Sequence, residues 1–169
     1  MFTVQAVIAQ GSDSSLANFL RREEGLHLSV YLDGGHRAVG YGHRINKEDA
    51  DWLQQLRVGD SISEEVAELL LQYDLCRIVQ TGLLLVKKEI GCSYPPNVYE
   101  ALGSLIYNMG YRGLTRTLFY RSFREKDYIA AFVILPSTAA SSEGLRLRRE
   151  RERLLLMRHF CFSERRYHP

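Results

Sequence analysis

Glu24-Gly25-Leu26-His27-Leu28-Ser29-Val30-Tyr31-Leu32-Asp33, followed by Gly34-Gly35-His36-Arg37-Ala38-Val39-Gly40-Tyr41-Gly42-His43, is the stretch that decides how this chain folds. Just before it, Leu16, Phe19 and Leu20 fall at i, i+3 and i+4, one face of a helix that Asp13 or Ser14 can cap and Gly25 can stop. That helix ends at Glu24. Beyond it Leu26, Leu28, Val30 and Leu32 alternate with His27, Ser29 and Tyr31, a period of two closed by Gly34-Gly35, the chemistry of a tight hairpin. One carboxylate therefore stands at a helix end and a second at a hairpin tip.

After His43 the pattern is helical. Ser61 or Ser63 opens an amphipathic helix through Val79, with Val66, Leu69, Leu70, Tyr73 and Cys76 on its apolar face and Glu64-Glu65 in the first turn, where the helix dipole favours acids. It continues, bent, beyond Gln80. Pro95-Pro96 initiates an apolar segment from Val98 to Met109, closed by Gly110, which reads as a buried central helix. Shorter helices follow over 115–123 and 126–135, and a last one over 143–160. The fold class is α+β: a small N-terminal lobe with a β-hairpin (about 13–62) and a larger, mainly helical C-terminal lobe (about 63–169), within one domain spanning 1–169.

The chain has 169 residues, 46% of them hydrophobic and 25% charged, enough to bury an ordinary core without staples. Cys76, Cys92 and Cys161 are odd in number, widely spaced and without a CxxC pair, which suggests free thiols and no metal or cofactor. The first nine residues lack a basic n-region, and no apolar run reaches the length of a membrane span. The chain is thus expected to be made in the cytoplasm without a signal peptide. From Gly144 to Pro169, eight arginines stand against three glutamates, a local charge of +5 in a chain of net charge +2. Glu150 and Glu152 interrupt that run and no aromatics interleave it, so the reading is a solvated or anion-facing helix and no nucleic-acid partner, with pairing of the same arginines across the lobe interface as the alternative.

A carboxyl at a helix C-terminus feels the negative end of the dipole, and burial against Phe19 and Leu28 disfavours its charge further. Both effects would keep Glu24 protonated, as a general acid requires. Asp33, in a polar glycine turn, would stay ionised. Paired carboxyls pushed apart in this way suit glycosidic bond cleavage, inverting if they stand 6.5–9.5 Å apart with water between. Turn chemistry alone explains the same letters, an Asp before Gly-Gly and a solvated Glu-Glu at a helix end.

Three segments break that tie. Arg22-Glu23-Glu24-Gly25-Leu26 with Tyr31-Leu32-Asp33 and Val39-Gly40-Tyr41-Gly42-His43 resembles the N-terminal motif of the phage-type lysozymes, the endolysins of glycoside hydrolase family 24. The run from Ala101 to Gly110 resembles that family's central helix, and the run from Gly144 to Glu152 its GLxxRRxxE signature. The resemblance implies a lysozyme-like fold and a muramidase that cleaves the β-1,4 bond between N-acetylmuramic acid and N-acetylglucosamine in bacterial peptidoglycan. It implies Glu24 as acid and Asp33 as the support for the attacking water. Tyr107 and Asn108 become sugar contacts, with Arg44 and Thr117 as weaker candidates. His43 and Asp74 become a structural pair. A monomer is expected, delivered to the cell wall by a holin-like pore or secretion machinery and open to control by an immunity protein.

One position departs from the family. Two residues before the first glycine of the GxGH run the family has a threonine whose hydroxyl helps hold water, and this chain has Ala38. The loop after Asp33 is also one residue shorter. An alanine side chain cannot hydrogen-bond water. His36, next to this position, either compensates as a base or water holder or is an exposed turn residue. The alternative to an active hydrolase is a lysozyme-like module that binds glycan or protein with reduced or lost turnover.

Overall fold

The computed structural model describes residues 14–163. Helix α1 (Ser15–Glu24) leads into a three-stranded antiparallel sheet of order β1 (His27–Asp33), β2 (His36–Gly40) and β3 (His43–Arg44). Seven helices follow: α2 (Asp51–Gln55), α3 (Glu64–Asp74), α4 (Thr81–Ile90), α5 (Pro96–Thr115), α6 (Leu118–Arg124), α7 (Tyr128–Ile134) and α8 (Glu143–Ser163). Between α3 and α4, Leu75–Gln80 is wound as a π-helix, so 64–90 is one continuous rod. The architecture is α+β and lysozyme-like.

Local chemistry sets the boundaries. The Ser14 side chain accepts from the Ala17 amide and starts α1, and Gly25, at φ 69°, ends it in the left-handed region. Asp13, the alternative cap, lies outside the described residues. Ser63 caps α3 through the Val66 amide. Pro95 and Pro96 open α5, and Gly110 interrupts it at φ 71° and ψ 159°, so the regular central helix stops where the sequence places its stop.

Two faces differ from expectation. Of the alternating β1 residues only Val30 is buried; Leu28 is partly exposed and Leu32, at 62%, projects from the hairpin. A small cluster of Val30, Val39, Ile45 and Leu53 underlies the sheet, too small to cover the hairpin tip. On α3 the buried residues are Ala67, Leu71 and Asp74, continued by Leu75 and Val79, whereas Leu69 is 69% exposed and Tyr73 and Cys76 face outward. Leucines at 69, 70 and 71 allow three readings of the face. What selects among them is Gly40, which has no side chain and lets Ala67 approach to 3.4 Å from its ideal Cβ position.

The larger core gathers around α5, with Leu102, Leu105 and Ile106 at its centre and Leu71, Leu75, Val79, Leu83 and Val86 packed on it. An 18-residue stretch of the 64–90 rod reaches a mean hydropathy of 1.4, within the range of a membrane-crossing helix by composition, although Leu71, Leu75, Val79, Leu83 and Val86 on it have this core as their partner. Helix α1 precedes the sheet in sequence but sends Leu16, Ala17 and Leu20 into the large core. Glu24, at its end, is thereby anchored to the helical body while Asp33 rides on the sheet.

At the contact of α1 with α5, a Cβ on Gly103 would stand 2.7 Å from Leu16 Cδ2 and 3.2 Å from Val79 Cγ1. Gly103→Ala is expected to destabilise the fold by about 1–3 kcal/mol through overpacking, measured by urea or thermal unfolding.

Candidate active site

Between sheet and helices lies a cavity of about 790 Å³, lined among others by Glu24, Tyr31, Asp33, His36, Arg44, Asp74, Tyr107 and Asn108. Thus the structure brings eight of the nine residues singled out from sequence to one cleft or its wall: His43, though not a lining residue, bonds to Asp74 from behind. Thr117 is the one left out. Its Oγ1 accepts from the Tyr120 amide and donates to Leu114 O, capping α6.

Glu24 is the better buried of the two carboxylates, its side chain 19% exposed against 53% for Asp33. Arg148 on α8 donates from Nη1 to Glu24 Oε1 at 2.6 Å. The other oxygen, Oε2, lies beside Gly42, where an added Cβ would come within 3.6 Å of it. Behind this pair is a buried network. Arg148 also donates to Ser104 O and Glu152 Oε1, Ser104 Oγ donates to Glu152 Oε1, and Arg149 bonds Glu152, Thr138 O and Asn108 Oδ1. Ser104, Arg148, Arg149 and Glu152 are all buried.

These bonds replace the reading of the last helix as a solvated or anion-facing face with its alternative, pairing across the lobe interface. Arg146 pairs with Glu143, Arg151 with Glu23 and Arg153 with Glu150, while Arg148 and Arg149 are core residues. Sequence reasoning missed Arg148, Arg149 and Glu152 as site residues. The signal was the i, i+3 and i+4 spacing of two arginines to one glutamate, which lets a single carboxylate face both guanidinia.

Asp33 Oδ2 accepts from Arg44 Nη2 at 2.9 Å, a pairing also absent from the sequence reading. Tyr31 stands near both acids: burial, then the charges of Asp33 and Glu24, raise its pKa, against the pull of Arg44. Burial, followed by Asp74 and Glu24, holds the Tyr107 hydroxyl far above its ordinary pKa, so it remains a donor, and it donates to Tyr41 O at 2.8 Å. That bond ties α5 to the turn between β2 and β3.

His43 is buried with Nδ1 2.9 Å from Asp74 Oδ2 and Nε2 3.3 Å from Asp49 Oδ2. Asp49 was not foreseen; it also accepts from the Asn46 amide. Burial opposes the imidazolium, but the hydrogen bonds and charges of Asp74 and Asp49 outweigh it, and the His43 pKa is raised.

With this geometry in place, the comparisons identify the family. The phage lysozyme family model matches residues 21–152. The chain belongs to the phage lysozyme family. The endolysin of Salmonella phage P22 is 32% identical over 142 residues, covering 82% of this chain and 92% of that protein. The endolysin of Acyrthosiphon pisum secondary endosymbiont phage 1 is 30% identical over 113 residues, covering 66% and 68%. Among solved structures, a point mutant of P22 lysozyme superposes with a TM-score of 0.64 at 27% identity, covering 86% of this chain and 97% of that one. The muramidase domain of SpmX from Asticaccaulis excentricus gives 0.66 at 23% identity, covering 83% and 93%, a likeness of fold. This phage lysozyme family member is a glycoside hydrolase.

Two measurements probe this lysozyme's buried charges. Because the folded pKa of His43 lies above its unfolded value near 6.5, its ion pairing contributes fully below that value and is lost as pH rises through the folded pKa. The stability gap between wild type and His43→Asn, from urea melts, should therefore be widest at acid pH and narrow as pH rises through the folded pKa. Glu152→Gln removes the carboxylate between two buried guanidinia and should cost about 3–5 kcal/mol in the same melts.

Proposed function

We propose that the chain hydrolyses bacterial peptidoglycan, cleaving the β-1,4 bond between N-acetylmuramic acid and N-acetylglucosamine with inversion, at the cell wall. The observation that carries this reading is the pair of carboxylates, Glu24 and Asp33, lining one cavity of about 790 Å³, each with one oxygen bound to a guanidinium. A glycan strand threaded through the cavity has an acid on its helical side and a second carboxylate on the sheet side.

In this mechanism Glu24 Oε1 is held by Arg148, and Oε2 delivers a proton to the leaving glycosidic oxygen. Asp33 takes a proton from water as that water attacks the anomeric carbon, so the bond to the leaving sugar breaks as the bond to water forms. Tyr107 and Asn108, on the opposite wall, contact sugar. Asn108 is held by Arg149, so the network that fixes the acid also fixes part of the sugar site. His43 and Asp74 support the sheet against the 64–90 rod and take no part in the chemistry.

Glu24→Gln keeps the shape of the acid and removes its proton. Release of reducing ends from purified sacculi should fall at least about a hundredfold, in line with loss of general acid catalysis, with the thermal transition retained. Proton NMR of the first product formed should show the α-anomer. Equal release by Glu24→Gln would exclude Glu24 as the acid, glycan binding without released reducing ends in either protein would favour a glycan-binding role, and an initial β-anomer would rule out inversion.

A further inference from the structure

The sheet has two unlike faces, and the cleft face carries an arrangement that the proposed chemistry has not yet used. The register pairs Tyr31 with Ala38, Asp33 with His36, and Ala38 with Arg44. Since side chains one strand apart in register share a face, Tyr31, Ala38 and Arg44 form one row across the three strands, with Asp33 and His36 in the next. Tyr31, Asp33, His36 and Arg44 all line the cavity. Ala38 does not, and it is 0% exposed although it sits in the middle of the row.

Arg44 stands on β3 and Asp33 on β1, with β2 between them. Strands lie about 4.8 Å apart, so the Arg44 and Asp33 side chains together bridge roughly 10 Å of sheet, on a diagonal that starts level with Ala38 and ends level with His36 on β2, to place Nη2 2.9 Å from Asp33 Oδ2. On that face of β2 the residue level with Arg44, where the crossing begins, is Ala38 and carries only a methyl group, while His36 stands level with Asp33 at its end. A side chain with further heavy atoms at position 38 would occupy the path of the guanidinium.

We infer that Ala38 and Arg44 act as a unit: Ala38 is the low floor that lets Arg44 span the sheet, and Arg44 is a positioning residue that fixes the carboxylate of Asp33 in the cleft. This rests on the hydrolase reading above. The lost hydroxyl at position 38 is in this view the condition for the bridge and not a simple deficit. With Oδ2 engaged by Arg44, the free oxygen of Asp33 is Oδ1, and its direction is set by the bridge. The ion pair is partly exposed, so its contribution to folding is small, and its effect belongs to the geometry of the occupied cleft, where substrate displaces water.

A double-mutant cycle on purified sacculi tests this, with kcat and KM measured for wild type, Arg44→Leu, Ala38→Thr and the double variant. Arg44→Leu should lower kcat about tenfold with KM within about twofold, and Arg44→Lys should recover part of the loss. Ala38→Thr alone should lower kcat, and in the Arg44→Leu background it should cost nothing further, because the bridge can be lost only once. Ala38→Ser, which adds one atom to the buried site, should show the same pattern at smaller amplitude if the threonine variant folds poorly. The inference is overturned if Ala38→Thr raises kcat with Arg44 in place, if the two losses add, or if Arg44→Leu raises KM and leaves kcat unchanged, the behaviour of a sugar contact. Wild type that releases no more reducing ends than Glu24→Gln would overturn the hydrolase reading as well; turnover with an additive cycle overturns the bridge alone.

Discussion

Two arginines and two glutamates, Arg148, Arg149, Glu152 and Glu24, share a seam between the first, central and last helices, and the site depends on that seam. A buried guanidinium without a partner is costly, so Arg148 must be met by carboxylates and carbonyls from several elements at once. It is met by Glu24 from α1, Ser104 from α5 and Glu152 from its own helix. Chain segments more than a hundred residues apart are thereby held in one register. The network gains little as a source of stability over an apolar core of the same size, and what it supplies is a fixed location for the Glu24 carboxyl and for Asn108.

The sheet answers to different constraints. Its inner face rests on the small Val30, Val39, Ile45 and Leu53 cluster, and Arg37 satisfies the carbonyls of Gln54 and Leu56 from the same side. Its outer face is given over to the cleft. Contacts from outside the sheet hold it to the helices: His43 to Asp74, and Tyr107 to Tyr41 O. The acid is thus fixed to the helical body, and the second carboxylate is fixed to a sheet joined to that body by these polar contacts and by the packing of Gly40 on Ala67. The distance between the two is set by these joints.

Much of this was legible in the chain. Capping and stop residues at Ser14, Gly25, Ser63, Pro96 and Gly110 mark helix ends through backbone chemistry that acts locally, so sequence suffices to read them. Faces were harder. The α3 leucines could be assigned to a side only once Gly40 was known to receive Ala67, a contact between distant positions. Ion pairs were hardest: nothing near Arg44 in sequence says that it reaches Asp33, and Thr117, placed near sugar by resemblance, turned out to be spent as a helix cap. Arginine-rich composition at the C-terminus misled for the same reason, since a count of charges does not show which are neutralised inside the fold.

The most direct measurement of the central claim is a crystal structure of Glu24→Gln with a peptidoglycan fragment long enough to span the cleft. The scissile glycosidic oxygen should lie within about 3 Å of the residue 24 side-chain atom that replaces Oε2, next to Gly42, with Arg148 still on Oε1 and a water between Asp33 and the anomeric carbon. A glycan bound outside the cavity, or one whose glycosidic oxygens all lie beyond reach of residue 24, would contradict it.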